Sequence, residues 1–165
     1  MYDKPEFPPL LAEGMHPMSL AELENLCVTP FPLSSTRKGI MAGLHTVVSR
    51  IAEAGIRCDI WVDGSFLTQK IDPVDVDIIA LIPAEFYDAG TDQQRDVIEW
   101  LTSGENLPRR EFRCDTHAEP IYPESSPMHY MVPDAIQYWR SIYGRSVESG
   151  EPKGIAVIEV REVEA

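Results

Sequence analysis

Asp63-Gly64-Ser65-Phe66 and Asp75-Val76-Asp77-Ile78-Ile79, with nine residues between Ser65 and Asp75, decide how this chain reads. Just upstream, Arg57 to Asp63 alternates. Cys58, Ile60 and Val62 fall on one face, Asp59, Trp61 and Asp63 on the other, which is the period of a strand. Gly64-Ser65 ends it. A loop through Pro73 leads to a second expected strand, Val74 to Ile82. Two strands this close in sequence are expected side by side in one sheet. Side chains at i and i+2 share a face, so Asp75 and Asp77 project together, roughly 7 Å apart at the Cα atoms. Ile79 and Leu81 continue that face, which leaves two carboxylates at the end of an apolar surface. Their repulsion is relieved by a divalent cation, and hard oxygen donors suit Mg²⁺ or Mn²⁺. Gly64 lets the backbone come close to a ligand, and Ser65 offers a hydroxyl and an amide to phosphate oxygens. One loop thus suits a triphosphate and the next strand a metal, a pairing that points to metal-assisted nucleotidyl transfer.

Outward from this segment the chain punctuates itself clearly. Residues 1–33 are expected as an N-terminal arm with a short helix, docked on a domain spanning 34–165. Pro5, Pro8, Pro9, Gly14 and Pro17 read as extended arm, and Ser19 with Glu22 caps a helix reaching about Cys27. Ser34, Ser35 and Thr36 offer caps for a helix whose buried stripe is Ile40, Leu44, Val47, Val48 and Ile51, ended by Gly55. Thr91 and Gln94 cap a helix to Thr102. Glu111 to His117 reads as a third strand, Pro120 to Pro127 as loop, and Pro133 to Tyr143 as a helix stopped by Gly144. Ile155 to Val163 alternates as a last strand. The expected class is α/β (α+β), one mixed sheet with flanking helices.

The chain has 165 residues, and 27 acidic against 14 basic side chains give a net charge of −13. That charge argues against an extended nucleic-acid groove and an anionic membrane surface. No apolar run approaches the ~18 residues of a membrane span. Three cysteines, Cys27, Cys58 and Cys114, cannot all pair internally, and a reducing cytoplasm is the simplest setting.

Gly-Ser, nine residues and Asp-x-Asp resembles the signature of the nucleotidyltransferase superfamily that includes DNA polymerase β, and especially its minimal bacterial members. A closer resemblance, to small bacterial and phage proteins of that superfamily, rests on Gly14 and His16, on Ser19 to Leu23, on Gly64 to Asp77, on Trp139 and on Lys153-Gly154-Ile155. The resemblance implies a minimal nucleotidyltransferase fold. It implies that Gly64 and Ser65 seat a nucleoside triphosphate, that Asp75 and Asp77 hold the metal, and that a third carboxylate on a later strand completes the site or takes the acceptor's proton. By order, Asp115 is the candidate, with Glu119 and Asp134 as weaker alternatives. Arg113, Asp115 and His117 would then share a face.

Lys70, in the intervening loop, is a candidate to neutralise phosphate charge. Arg109, Arg110 and Arg113 form the one basic cluster near the expected site. The expected reaction moves an NMP from an NTP to a hydroxyl of a protein, RNA or small-molecule acceptor. The resemblance implies a toxin–antitoxin or phage-defence setting, with a protein as partner or acceptor. The rival expectation is a catalytically inactive nucleotide-binding or antitoxin-like interaction module. Cys114 and His117 at C-x-x-H spacing lack the further ligands a zinc site needs.

Overall fold

A computed structural model describes residues 5–161. In chain order its elements are β1 (Gly14–Pro17), α1 (Leu20–Cys27), α2 (Arg37–Glu53), β2 (Cys58–Asp63), β3 (Val76–Pro83), α3 (Ala84–Tyr87), α4 (Asp92–Leu101), α5 (Leu107–Phe112), β4 (Cys114–Ile121), α6 (Val132–Tyr143) and β5 (Gly154–Val160). The five strands form one sheet in the order β1-β5-β2-β3-β4. β2 runs antiparallel to both β3 and β5, while the outer pairs β1–β5 and β3–β4 are parallel. The fold is therefore the expected mixed class, with helices against both sheet faces.

Strand alternation sorts the core into two layers. Ile60, Val62, Ile78, Ala80, Ala156 and Ile158 face Leu23, Ile40, Leu44, Val47, Ile51 and Ile98 from α1, α2 and α4. Trp61, Ile79, Leu81 and Ile155 form the opposite layer, covered by Ile136, Trp139 and Tyr143 of α6. The helix ends obey their caps. Ser19 accepts from the Glu22 N–H, Thr91 and Gln94 close a reciprocal capping box, and Gly55 follows α2 at φ +78°. At Gly43 a Cβ would overlap the Phe112 carbonyl oxygen, so α2 meets α5 backbone to backbone.

Five expectations are corrected. Gly14–Pro17 is an edge strand of the sheet, not arm lying on the domain, because it pairs in parallel with Gly154–Val157. Residues 111 and 112 belong to α5, which Pro108 opens in its first turn. β4 starts only at Cys114, after Arg113 takes a left-handed turn at φ +56°. Arg113 thus lies outside the strand and does not share the face of Asp115 and His117. Pro120 and Ile121 continue β4 rather than entering loop, and α3 forms where no helix was expected. β5 ends at Val160, and the Glu162 and Val163 of the expected strand lie outside the described residues.

One buried charge ties the site loop to the helices. The Arg37 side chain is fully buried and donates to the carbonyl oxygens of Cys27, Phe66, Thr68 and Lys70 at 2.5–3.1 Å. Its guanidinium stacks 3.8 Å from the centre of the Phe31 ring. Hydrogen bonds from a charged donor are worth about 1.5–3 kcal/mol each, and orphaned carbonyls add their own desolvation cost. Arg37→Ala is expected to lower stability by at least about 3 kcal/mol in urea denaturation. Arg37→Lys is expected to recover little, since a point charge cannot serve four carbonyls from one plane.

Candidate active site

Three aspartates stand abreast at one end of the sheet. Asp63 of β2 lies opposite Asp77 of β3, and Asp77 lies opposite Asp115 of β4. All three belong to the α6-covered face, one strand spacing of about 4.8 Å apart. Asp75 sits one residue before β3 and completes an acidic cluster in a cleft of about 370 Å³. Gly64, Ser65, Lys70, Arg109, Tyr143 and Lys153 also line this cleft. The structure therefore brings all six sequence-predicted residues, Asp75, Asp77, Asp115, Gly64, Ser65 and Lys70, into one cavity. Glu119 and Asp134 do not line it, and Glu119 accepts instead from the Trp139 indole N–H at 3.1 Å.

The turn after β2 explains the glycine. Gly64 has φ +87° and ψ −167°, a conformation open essentially to glycine alone. A Cβ there would stand 2.6 Å from Asp77 Oδ2. What approaches this backbone most closely is the Asp77 carboxylate itself. Ser65 opens the 3₁₀ turn Ser65–Leu67, whose end is fixed by the Thr68 hydroxyl donating to the Ser65 carbonyl at 2.7 Å. Gly64→Ala is expected to cost about 1–3 kcal/mol of stability, read by urea denaturation, because it adds strain and a carboxylate clash together.

Cations already hold two of the aspartates. Arg109 Nε lies 2.8 Å from Asp75 Oδ2, and Lys153 Nζ lies 3.2 Å from Asp63 Oδ2. Asp63 and Lys153 were not among the expected site residues. Asp63 was visible as the end of an alternating strand, but its partner is ninety positions away and only the β2–β5 pairing brings them together. Asp115 Oδ1 lies 4.0 Å from His117 Nε2, and the His117 ring packs on Trp139 at 5.1 Å. Cys114 turns the other way, into the helix-side core. Among the described residues, no three His, Cys, Asp or Glu side chains converge as they stand into a set of metal ligands.

With this geometry in view, the family model for a group of unknown function, DUF6932, matches residues 5–159. The chain belongs to the DUF6932 family. No curated protein and no solved structure matches it. The matched span takes in every residue of this DUF6932 cleft, from the N-terminal segment at Pro5 to Lys153.

Burial and mutual charge both disfavour ionisation along this row. Burial, then the negative charges of Asp75 and Asp115, push Asp77 up to about 6, with Lys153 and Arg109 pulling the other way. Burial likewise pushes Asp63 up to about 8, against the pull of Lys153. The Tyr143 phenol is buried, its oxygen has no hydrogen-bond partner among the described residues, and burial and the aspartates raise it well above the ordinary tyrosine range.

Because Asp77 titrates above its unfolded value of 3.8, the folded chain holds that proton more tightly than the unfolded chain. Its contribution to stability is full below 3.8 and is lost as pH rises through about 6. In metal-free buffer Asp77→Asn is expected to raise stability at pH 8 by on the order of 2–3 kcal/mol, and by almost nothing at pH 3.5. Urea denaturation at the two pH values reads this directly.

Proposed function

We propose that this DUF6932 protein is a metal-dependent nucleotidyltransferase that moves an NMP from an NTP to an acceptor hydroxyl. One observation carries the reading: Asp77 lies opposite Asp115 across β3 and β4 while the Gly64-Ser65 backbone abuts the Asp77 carboxylate. The resemblance of Gly64, Ser65, Asp75 and Asp77 to the nucleotidyltransferase signature supports it. The donor set also fits a hard cation, since Asp75, Asp77 and Asp115 supply only carboxylate oxygens, and the charges of Asp75 and Asp115 add to burial in raising Asp77. These three would hold Mg²⁺ or Mn²⁺. When bound, the ion supplies charge neutralisation and polarisation of phosphate oxygens.

The chain's own residues do the rest. The Gly64-Ser65 turn and Lys70 bind and orient the triphosphate. Lys153 and Arg109 hold the flanking carboxylates in place. Phe7, Ile142 and Tyr143 wall the cleft and limit water. Asp115, half-open beside His117, takes the acceptor proton on its carboxylate. Three buried free thiols, Cys27, Cys58 and Cys114, accord with a cytoplasmic setting, and a toxin–antitoxin or phage-defence context follows from the resemblance. Among the described residues no helix is long and apolar enough to cross a membrane.

Incubation with each α-labelled triphosphate, Mg²⁺ or Mn²⁺, and cell lysate tests the reading. Label transfer is expected, falling at least about 100-fold in Asp75→Ala/Asp77→Ala, the scale of losing a main transition-state stabiliser. Transfer that persists in the double variant would sink the mechanism.

A second reading, a non-catalytic nucleotide-binding or antitoxin-like module, is favoured by the 2.8 Å pair between Arg109 and Asp75, which occupies one expected metal ligand. Calorimetric titration of nucleotide with and without Mg²⁺ separates the two. Tight binding that ignores Mg²⁺, together with no transfer, favours the module.

A further inference from the structure

β4 is the last strand of the sheet and pairs, among the described strands, with β3 alone. The phase of that pairing can be read. The Val76 N–H donates to the Arg113 carbonyl, one residue before its register partner Cys114. In a parallel ladder, successive residues turn their backbone groups to alternate sides. Asp115, His117 and Glu119 therefore turn theirs toward β3, and Thr116 and Ala118 turn theirs outward. Pro120 falls in the outward phase, where its missing N–H costs no ladder bond.

A groove of about 300 Å³ runs along this edge. Asp115, Thr116, His117 and Ala118 all line it. Four consecutive residues whose side chains alternate between faces can share one groove only if the strand's edge is its floor. The loop carrying Ser103 and Asn106 forms one wall, and Trp139 forms the other. Asp115 lines this groove and the main cleft alike, so it stands between the two cavities.

We propose that the β4 edge receives an extended polypeptide segment as an added strand, presenting a Ser, Thr or Tyr hydroxyl beside Asp115. The inference rests on the transferase reading and names its acceptor class. Main-chain bonds to Thr116 and Ala118 supply sequence-independent affinity, and alternate side chains supply choice. The residue opposite Asp115 shares its face and points toward the aspartate row. The residue two positions on lies opposite His117, against the His117–Trp139 ring pair, and favours an aromatic or aliphatic side chain. A single-stranded RNA fits less well. It would lay phosphates along Asp115 and Glu119 on a chain of net charge −13, whereas a peptide backbone is neutral. Arg109, Arg110 and Arg113 precede the strand and line a neighbouring hollow with Val74, not the groove itself.

In the transfer step the acceptor oxygen forms a bond to the α-phosphorus and the bond from that phosphorus to the pyrophosphate oxygen breaks. Pyrophosphate leaves with the electron pair, and the hydroxyl proton passes to Asp115. Nothing is oxidised or reduced.

The test uses the full chain without nucleotide. A positional library of nine-residue peptides with a central Ser, Thr or Tyr is screened by fluorescence polarisation, and the best binder is N-methylated at each backbone nitrogen in turn. Affinity is expected to fall at least tenfold at alternate nitrogens and to stay within twofold at those between. Ala118→Pro, which removes one outward N–H, is expected to weaken binding about tenfold. If that variant does not fold, the N-methyl scan decides alone. A scan without period-two sensitivity, or a nine-nucleotide RNA that binds more tightly than every peptide, overturns the proposal. A periodic scan with no label transfer under any condition upholds the edge and overturns the transferase reading alone. Label transfer with no periodic peptide binding does the reverse.

Discussion

The Arg37 guanidinium is closed off from solvent, and among the described residues it forms no ion pair with a carboxylate. Its charge is met by backbone carbonyls from the end of α1 and from the loop between β2 and β3, and by the rings of Phe31 and Phe66. Burying a charge is costly unless it is hydrogen-bonded throughout, so this arrangement persists only with every carbonyl in place. Two of those carbonyls, of Thr68 and Lys70, belong to the stretch that carries Lys70 toward the cleft. Asp72 then fastens the far end of the loop by accepting from the Ser35 N–H at 2.7 Å. The N-terminal segment seals the same stretch from outside, since the Leu10 N–H donates to Leu67 and the Gln69 N–H to Pro8. A loop of about ten residues would ordinarily be mobile. Here it is fixed from three sides, and the Gly64-Ser65 turn inherits that rigidity.

Rigidity matters because the site it borders is electrostatically unfavourable on its own terms. Antiparallel β2–β3 and parallel β3–β4 pairing place Asp63, Asp77 and Asp115 at neighbouring strand positions, and Asp75 adds a fourth carboxylate. Like charges on one buried row repel, and an apolar core would relax them away if stability alone governed the sequence. Lys153 and Arg109 relieve the two ends of the cluster. Asp77, in the middle, pairs with no cation among the described residues, and burial first, then the charges of Asp75 and Asp115, push it upward. A surplus of negative charge held beside a turn that only glycine can make raises the affinity of this place for positive charge, protons included.

Much of this was legible in the sequence, for physical reasons that differ by element. β2 and β3 could be read because alternation is local, and the helix ends because Ser19, Thr91 and Gly55 act within a turn of themselves. The shared position of Asp75, Asp77, Gly64 and Ser65 followed from their spacing. Asp115 could be ordered along the chain but not placed opposite Asp77, since register between strands nearly forty residues apart has no local trace. Arg37 was invisible for another reason: a basic residue opening a helix reads as solvent-facing, and only tertiary packing buries it. Gly14–Pro17 was misread because four residues ending in proline carry too little pattern to separate a short edge strand from an arm. Glu111 and Phe112 were misread because six residues of helix show less than two turns of periodicity.

The negative charge of the chain takes a different form in two places. Along the β4 edge Asp115 and Glu119 leave the field negative, which sets the terms for anything that pairs there. At the cleft the field is divided: the aspartate row is flanked by Lys70, Arg109 and Lys153, all lining one cavity. Asp115 stands where the two fields join, and it belongs to both cavities. Asp115 therefore borders two surfaces of different field, and a change in its charge is felt in both.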